Sequence, residues 1–573
     1  MAFQEYYPHL FAPMYAGKHQ IRFKNRVFTS PMSSENDPAS QVMQDDNVEF
    51  YAKRARGGAG CVHVGETRFD KVNSVAHPCQ LDLTDPKTLP QLNKFNNYAH
   101  TYGARTSLEL NHAGHFAIPA FNDGHTPPMS ATVRRMPNGN LVREMSEEDM
   151  DYVADIYANA IHMAWRGGFD MACLHYGHGW LFGGWLSPLI NTRTDGHGGS
   201  RENRIKFPRM VLERVRQKMG SNILIELRMS GSEMSPGGIE IEDTIYYIKE
   251  LEDLADLVHF SAGNRLFPET RAIMHPSHFL EEGHNVHLAA AAKKAGIKIP
   301  VGAIGSIQDP AFAERVLAEG QADYILLARA WVADNDWANK ARAGKAEDIR
   351  PCIKCFRCMD LAGGKRTVSR HNIADYLSEF PTVTRRTECS VNPLHGNAMC
   401  KIDFPLPKAK KTVAVVGGGN SAAGDALLLS RIAERVVLVH RRDQLRATKI
   451  YHEPLIQAEN VEFRWNSTVT ELLHEEKLTG IRLRDVQTGA ESVLPCDGLF
   501  ISVGRKPATE LVKGQLELDA GGYVTADETT RTNLPGVYAV GDVRTKPLRQ
   551  VVTAVADGAM AVHMAEEYLA GGA

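Results

Sequence analysis

Short β-branched or apolar runs recur at near-even spacing through the first part of the chain. This rhythm is the strongest limit on what it can fold into. The runs are Val27–Met32, Cys61–Gly65, Thr106–Leu110, Met171–His175, Ile223–Met229, Leu257–Ser261, Ile299–Ile304 and Tyr324–Ala328. Helical patterns lie between many of them, among them Pro90–His100, Glu147–Trp165 and Arg204–Met219. The Glu147 segment carries its own start signal, Ser146 followed three residues on by Asp149, a spacing at which two side chains can cap each other's backbone N–H groups. Strands that alternate with helices run parallel, and eight of them can close into a (β/α)8 barrel. A doubly wound open sheet is the alternative; eight evenly placed strands favour the barrel.

A barrel of this kind gathers its chemistry at the C-terminal ends of the strands. Those ends read Ser30-Pro31-Met32-Ser33, Gly65-Glu66-Thr67, Glu109 to His112, His175 to His178, Arg228, Ser261 to Gly263, Gly302 to Gly305 and Ala328-Arg329. Polar residues and glycines concentrate there. The last two ends predict a phosphate cradle: backbone N–H groups near Gly305 and Ala328, with Arg329 adding a charged, bidentate contact. A rim turn with a surface arginine is the plain alternative.

Composition narrows the function. The 573 residues include 65 Lys+Arg and 68 Asp+Glu, a net charge of −3, which argues against a nucleic-acid partner. No apolar run reaches the length of a membrane span, and the N-terminal residues lack the pattern of a secretory signal. The expectation is a cytoplasmic protein acting on small molecules, with a homo-oligomer left open. Of nine cysteines, Cys352, Cys355, Cys358 and Cys389 fall within 38 positions, a crowding that points to a metal site before disulfides. Three thiolates at two-residue spacing and a distant fourth suit a [4Fe–4S] cluster; zinc is the rival.

The pattern restarts after a Pro- and Lys-rich linker. Strand Thr412–Val416 runs into Gly417-Gly418-Gly419-Asn420-Ser421-Ala422, a dinucleotide fingerprint in the strand–turn–helix context it requires. The next strand ends in His440-Arg441-Arg442 with Arg446 close behind. Basic residues there, in place of an acidic one, suit the 2′-phosphate of NADP(H); a solvated basic loop is the alternative. The predicted parts are a barrel over 1–345, a cluster segment and linker over 346–410, a Rossmann-like domain over 411–510 and a C-terminal piece over 511–573.

Several blocks resemble the old yellow enzyme family: Phe11-Ala-Pro-Met14, Ser30-Pro-Met32, His175-Tyr-Gly-His178, the long stretch Asn191 to Arg204, and Ala328-Arg329. The resemblance implies an FMN barrel that reduces activated C=C bonds. It implies that Pro31, Met32 and Ser33 touch the isoalloxazine edge, that Gly65 lies beside the ring, and that Glu109 contacts the pyrimidine where many members have Gln. Arg228 would stand near flavin N1 and O2, and Gly305, Ala328 and Arg329 would hold the phosphate. His175 and His178 match the pair that binds the substrate's acceptor oxygen. Where the family places a proton-donating Tyr, this chain has Trp180, whose indole is a very poor acid; Tyr176 or solvent would have to serve. Asn191, Arg193, Asp195 and Asn203 are read as braces of their loop.

The cysteine motif in this position resembles the iron–sulfur branch of that family, which includes 2,4-dienoyl-CoA reductase, enoate reductases, trimethylamine dehydrogenase and bile-acid enone oxidoreductases. Residues from Thr412 on resemble thioredoxin reductase without its dithiol, and the Gly541-Asp542 segment matches its second FAD motif. That scaffold needs an earlier fingerprint for FAD, which is absent between Cys389 and the C-terminus, so the sequence predicts a lost FAD half-domain joined at Gly417–Gly419. The leading expectation is an NADPH-dependent ene-reductase acting on an α,β-unsaturated carbonyl such as a 2-enoate, dienoyl thioester or steroid enone, with electrons passing from NADPH through the cluster to FMN. The alternatives are amine oxidation of the trimethylamine dehydrogenase type, with Trp180 and Trp185 as an aromatic bowl, and a recombined chain that only binds nucleotide and FMN.

Overall fold

The computed structural model describes residues 6–34, 42–77, 80–358, 389–392, 395, 411–430 and 432–571. It divides into two compact units, Met1–Ile402 and Asp403–Ala573. Cys79 and Cys400 lie outside the described residues.

In the first unit all eight expected strands form: β1 (Val27–Thr29), β2 (Cys61–Arg68), β3 (Arg105–Leu110), β4 (Met171–Tyr176), β5 (Leu224–Ser230), β6 (Leu257–Ser261), β7 (Val301–Ala303) and β8 (Tyr324–Leu327). Each is parallel to its neighbours in the order β1-β8-β7-β6-β5-β4-β3-β2, and Phe28 paired with Cys61 closes the ring. The fold is a closed barrel, not an open sheet. Strand β1 stops sooner than the sequence implied because Pro31 has no N–H for the ladder; Ser30–Ser33 leave the sheet and become rim.

Helices follow the strands: α1 (Asp45–Arg56), α2 (Leu89–Thr101), α3 (Glu147–Arg166), α4 (Lys206–Met219), α5 (Ile241–Lys249), α6 (Val286–Lys294), α7 (Pro310–Ala318) and α8 (Trp337–Arg342). Their apolar faces enter one continuous core with the strands. The start of α3 is the expected capping box: the Asp149 N–H donates to Ser146 Oγ and the Ser146 N–H donates to Asp149 Oδ2 at 2.8 Å. A hairpin, Met14–Ala16 against Ile21–Phe23, packs on Phe28, Cys61, Met171, Leu224, Leu257 and Tyr324. These are residues at the strand starts, so the hairpin stoppers the N-terminal end of the barrel.

The barrel interior is not purely apolar. Glu226 is buried at its middle, with His63 Nε2 at 2.7 Å, His259 Nδ1 at 2.9 Å and the Tyr324 hydroxyl donating at 2.7 Å. Burial pushes this carboxyl up, but the two imidazoles outweigh it and hold it well below the usual carboxylate range. Four strands (β2, β5, β6 and β8) are thereby tied through one carboxylate.

The second unit holds β9 (Thr412–Val416), α9 (Asn420–Ser430), β10 (Arg435–Val439), α10 (His452–Gln457) and β11 (Val461–Arg464). An antiparallel trio follows, β12 (Ser467–His474), β13 (Leu478–Asp485) and β14 (Glu491–Pro495), and then β15 (Gly498–Ile501). The parallel sheet runs β11-β10-β9-β15, the order of a Rossmann-like nucleotide-binding unit, with the trio as a separate sheet. A final helix, α11 (Val551–Leu569), ends the described region. Among the described residues no helix is long and apolar enough to cross a membrane.

Buried neutral histidines make the first unit acid-sensitive. Burial lowers His115 to about 3 and His112 to about 4. The unfolded chain takes up protons on these groups below about 6.5 while the folded one does not, so stability is fully present above that pH and is lost as pH falls. Each such group costs on the order of 2 kcal/mol by pH 5. The barrel's thermal midpoint should therefore drop steeply between pH 7 and 5 in circular dichroism melts; a flat profile would contradict the burial.

Candidate active site

A cavity of about 420 Å³ opens at the C-terminal rim of the barrel. One wall is Ser30–Ser33. Its shape is set by Tyr51 on α1, whose hydroxyl donates to the Met32 carbonyl at 3.0 Å and accepts from the Ser34 N–H at 3.1 Å. Gly65 backs this wall. A Cβ there would stand 2.3 Å from Ser33 N and 2.4 Å from Met32 C, so the position admits glycine alone. Sequence reasoning missed Tyr51, since nothing in α1 distinguishes its hydroxyl from an ordinary core tyrosine.

Glu109 on β3 and Arg228 on β5 both face the cavity and pair with each other, Nη1 to Oε1 at 2.6 Å. Burial pushes the Glu109 carboxyl up, and the guanidinium beside it opposes that. The carboxylate is therefore committed to Arg228 in this structure. The Arg228 Nε is buried without a hydrogen-bond partner.

His175 and His178 line the cavity together, as the sequence predicted, but as a chain rather than two parallel donors. The Gly177 N–H donates to His175 Nδ1 at 3.2 Å, which leaves the proton of this neutral ring on Nε2. His175 Nε2 stands 3.0 Å from His178 Nδ1, and His178 Nε2 stands 2.7 Å from Ser261 Oγ. Both imidazoles are held neutral, their pKa well below the usual value through burial and then the charge of Arg228. Tyr176 corrects the sequence expectation. Strand alternation turns it out of the barrel, where its ring packs on Phe182 at 4.2 Å and its hydroxyl donates to the Pro208 carbonyl at 3.0 Å. It cannot give a proton to a molecule in the cavity.

The far corner of the cavity holds Gly305, Ala328 and Arg329. Arg329 Nη2 donates to the Pro276 carbonyl at 2.6 Å, while its buried Nη1 has no partner. Asn285 Oδ1 is likewise buried and unpartnered beside it. The Arg329 Nη1 is an orphaned cationic donor, which an anion would satisfy, whereas Asn285 Oδ1 is an orphaned acceptor. The cysteine segment abuts this corner: Cys352 and Cys358 line the cavity, and Phe356 stacks under the Arg329 guanidinium at 5.0 Å. The Cys352 N–H donates to Gln308 Oε1 at 3.1 Å, and Asn392, near Cys389, donates to the Val332 carbonyl at 2.8 Å. The Cys355 thiol faces Ser390 Oγ at 3.3 Å. The pKa of Cys358 is raised, first by burial and then by Cys352, with Cys389 and Cys355 also contributing.

The mouth carries Glu66, which the sequence placed at a strand end without a role, and Arg265, which it did not single out. Glu66 accepts from His77 and Gln80. Arg265, beyond β6, lies over the Trp180 ring at 4.5 Å. Trp185 does not reach the cavity; it is buried against Phe207. Asn191, Arg193, Asp195 and Asn203 brace their loop: Asn191 donates to the Trp185 and His197 carbonyls, Arg193 pairs with Asp195, and Asn203 donates to Gly198.

The second unit has its own cavity of about 570 Å³ at the ends of β9 and β10, lined by Gly417, His440, Arg441 and Arg446. A Cβ at Gly417 would meet the Ser502 carbonyl at 2.3 Å, whereas one at Gly419 would meet nothing within 4 Å. Gly417 is thus needed by the fold, and Gly419 leaves open space. Arg442 is exposed and outside the lining. Gly541 and Asp542 face neither described cavity: the Gly541 N–H is taken by Asp557 at 2.8 Å, and Asp542 pairs at the surface with Arg505 at 2.9 Å.

A family model described as NADH:flavin oxidoreductase / NADH oxidase matches residues 9–348, and one described as pyridine nucleotide-disulphide oxidoreductase matches 395–558. An NADH oxidase from Thermoanaerobacter brockii is 29% identical over 89% of this chain and 75% of its own length. A metal reductase from Desulforamulus reducens is 32% identical over 63% of this chain. A thioredoxin reductase from Listeria monocytogenes is 46% identical over 28% of this chain. The chain spans about half the length of these last two relatives. The solved 2-naphthoyl-CoA reductase superposes at a TM-score of 0.62 with 19% identity, over 97% of this chain and 99% of that one. Histamine dehydrogenase from Rhizobium sp. 4-9 superposes at 0.62 with 19% identity, over 88% and 90%. These two share its fold. Since the first model covers more than half of the chain, the protein belongs to the NADH:flavin oxidoreductase / NADH oxidase family, as an oxidoreductase whose barrel is followed by a pyridine-nucleotide reductase part.

Proposed function

We propose that this chain is an NADPH-dependent ene-reductase with FMN in the barrel and a [4Fe–4S] cluster beside it. One observation carries the reading: the rim loop Ser30–Ser33, the histidine pair and the unpartnered Arg329 Nη1 all face a single cavity. FMN fits there, with its phosphate toward Gly305, Ala328 and Arg329 and its ring toward Pro31, Met32 and Arg228; bound, it would supply the hydride for the β-carbon. The cysteine donor set fits a cluster better than zinc. The packed trio Cys352, Cys355 and Cys358 with the distant Cys389 departs from the paired knuckles of a structural zinc site and suits a cluster.

The histidines orient and polarise the substrate. A carbonyl oxygen entering between the rings would take the His175 Nε2–H that now points at His178. Ser261 can donate as well as accept, so it lets His178 carry its proton on either nitrogen and provide a second donor. Two neutral N–H groups at one oxygen stabilise the charge that develops there. With Tyr176 turned away and Trp180 no acid, the proton for the α-carbon comes from water in the cavity. Amine oxidation is disfavoured because the face of Trp180 that a substrate cation would need is covered by Arg265. In the second unit, Arg441 and Arg446 would read the 2′-phosphate of NADPH. Only about twenty residues separate Cys389 from Thr412, far fewer than an FAD half-domain needs; one FMN and no FAD is the expected flavin content.

Three measurements test this. Flavin released from the purified protein should chromatograph as FMN; one FAD per FMN would overturn the missing-half reading. Cys358→Ala should lose its iron and acid-labile sulfide while keeping FMN, and a zinc-loaded wild type would overturn the cluster. Anaerobic NADPH oxidation should couple to reduction of 2-cyclohexenone, with His175→Ala lowering kcat/KM by about 100-fold; absence of saturated product with any unsaturated carbonyl would sink the activity. In the same preparations Gly65→Ala, whose Cβ must displace the Met32–Ser33 backbone, should lose most of its FMN.

A further inference from the structure

Arg265 stands beside the histidine pair as an exposed cation that no described acid contacts directly, Glu66 acting on it only through space. Its backbone N–H donates to the His178 carbonyl at 2.9 Å, and Asn264 forms a β-bridge with His178. The residue is therefore fixed next to the group that receives the substrate oxygen. Its side chain lines the cavity, with the guanidinium 4.5 Å over the Trp180 ring and 5.9 Å from the ring of Phe116. The Trp180 face gives the guanidinium a seat within cation–π range.

No described residue makes a hydrogen bond or an ion pair with that side chain. The other charged side chains of the cavity have direct partners or another place in it. Arg228 is paired with Glu109. Arg329 sits in the phosphate corner. Glu66 is engaged by His77 and Gln80 and acts on Arg265 only through space. A neutral carbonyl needs no fixed cation, because the neutral imidazoles already give it two donors. A carboxylate does: hydride addition to an unsaturated acid drives electron density onto a group that is already negative. A guanidinium matches a carboxylate with two parallel N–H···O bonds.

We propose that Arg265, seated on Trp180, is the clamp for a substrate carboxylate, and that α,β-unsaturated acids are therefore taken in preference to neutral ketones, esters or amides. The proposal rests on the ene-reduction reading for the word substrate, but the clamp is a binding site and is tested as one. Oxidised holoprotein is titrated with trans-cinnamate and with its neutral isostere cinnamamide, and binding is followed by the shift of the flavin absorbance band. Cinnamate should bind at least tenfold more tightly than the amide in the wild type. The ratio should fall to about one in Arg265→Met, which keeps an apolar stem over Trp180. Arg265→Lys, which keeps the charge but not the fork, should give an intermediate ratio and decides the matter if the Met variant is unstable. Equal binding of acid and amide in the wild type, or a preference that survives both substitutions, overturns the clamp. An Arg265-dependent acid preference with no turnover under NADPH supports the clamp and sinks ene-reduction. Reduction of cyclohexenone with no acid preference does the reverse.

Discussion

A carboxylate in the middle of a closed barrel has to be neutralised where it stands. Water cannot reach Glu226, and an isolated ion there would cost several kcal/mol. The residues that answer it come from other strands: His63 from β2, His259 from β6 and Tyr324 from β8. The mutual register of those strands is therefore not free to slip. A one-residue shift would send any of the three to the outer face and strand the charge. The geometry of the rim, a short distance above, inherits this precision.

Charge is layered along the barrel axis. Glu226 with its histidines forms one layer, and two residues on along β5 Arg228 meets Glu109. Above these lie the neutral His175–His178–Ser261 chain and the cations of the rim. The lower layers are hydrogen-bonded within themselves, and the guanidiniums of Arg265 and Arg329 face the cavity. This ordering keeps the histidines uncharged, because burial and the nearby Arg228 both oppose protonation. It also means that a negative ligand meets donors already in place, without reorganisation of the wall.

Much of this was legible in the sequence. The eight strands, the capping box at Ser146, the fingerprint at Gly417 and the grouping of His175, His178, Arg228 and Arg329 all follow from local pattern and from the rule that strand ends carry function. What escaped depends on direction and on distance. Tyr176 was a plausible acid by its place in the chain, and only strand alternation shows it facing α4. Arg265 is one arginine in an unremarkable loop until the bridge between Asn264 and His178 is known. Glu109 could be read as a departure from a family pattern, but its commitment to Arg228 is a contact across two strands. The cysteine spacing was plain, whereas its seat against the Arg329 corner was not.

The hairpin at Met14–Phe23 has a kinetic meaning. With the N-terminal end of the barrel stoppered, molecules come and go by the opposite rim. A nicotinamide and a substrate that shared this entrance would displace one another, and turnover would alternate between two half-reactions. Electrons that entered through the wall at Cys352 and Cys358 would impose no such queue, so an acceptor could stay in place while the centre beside it was recharged.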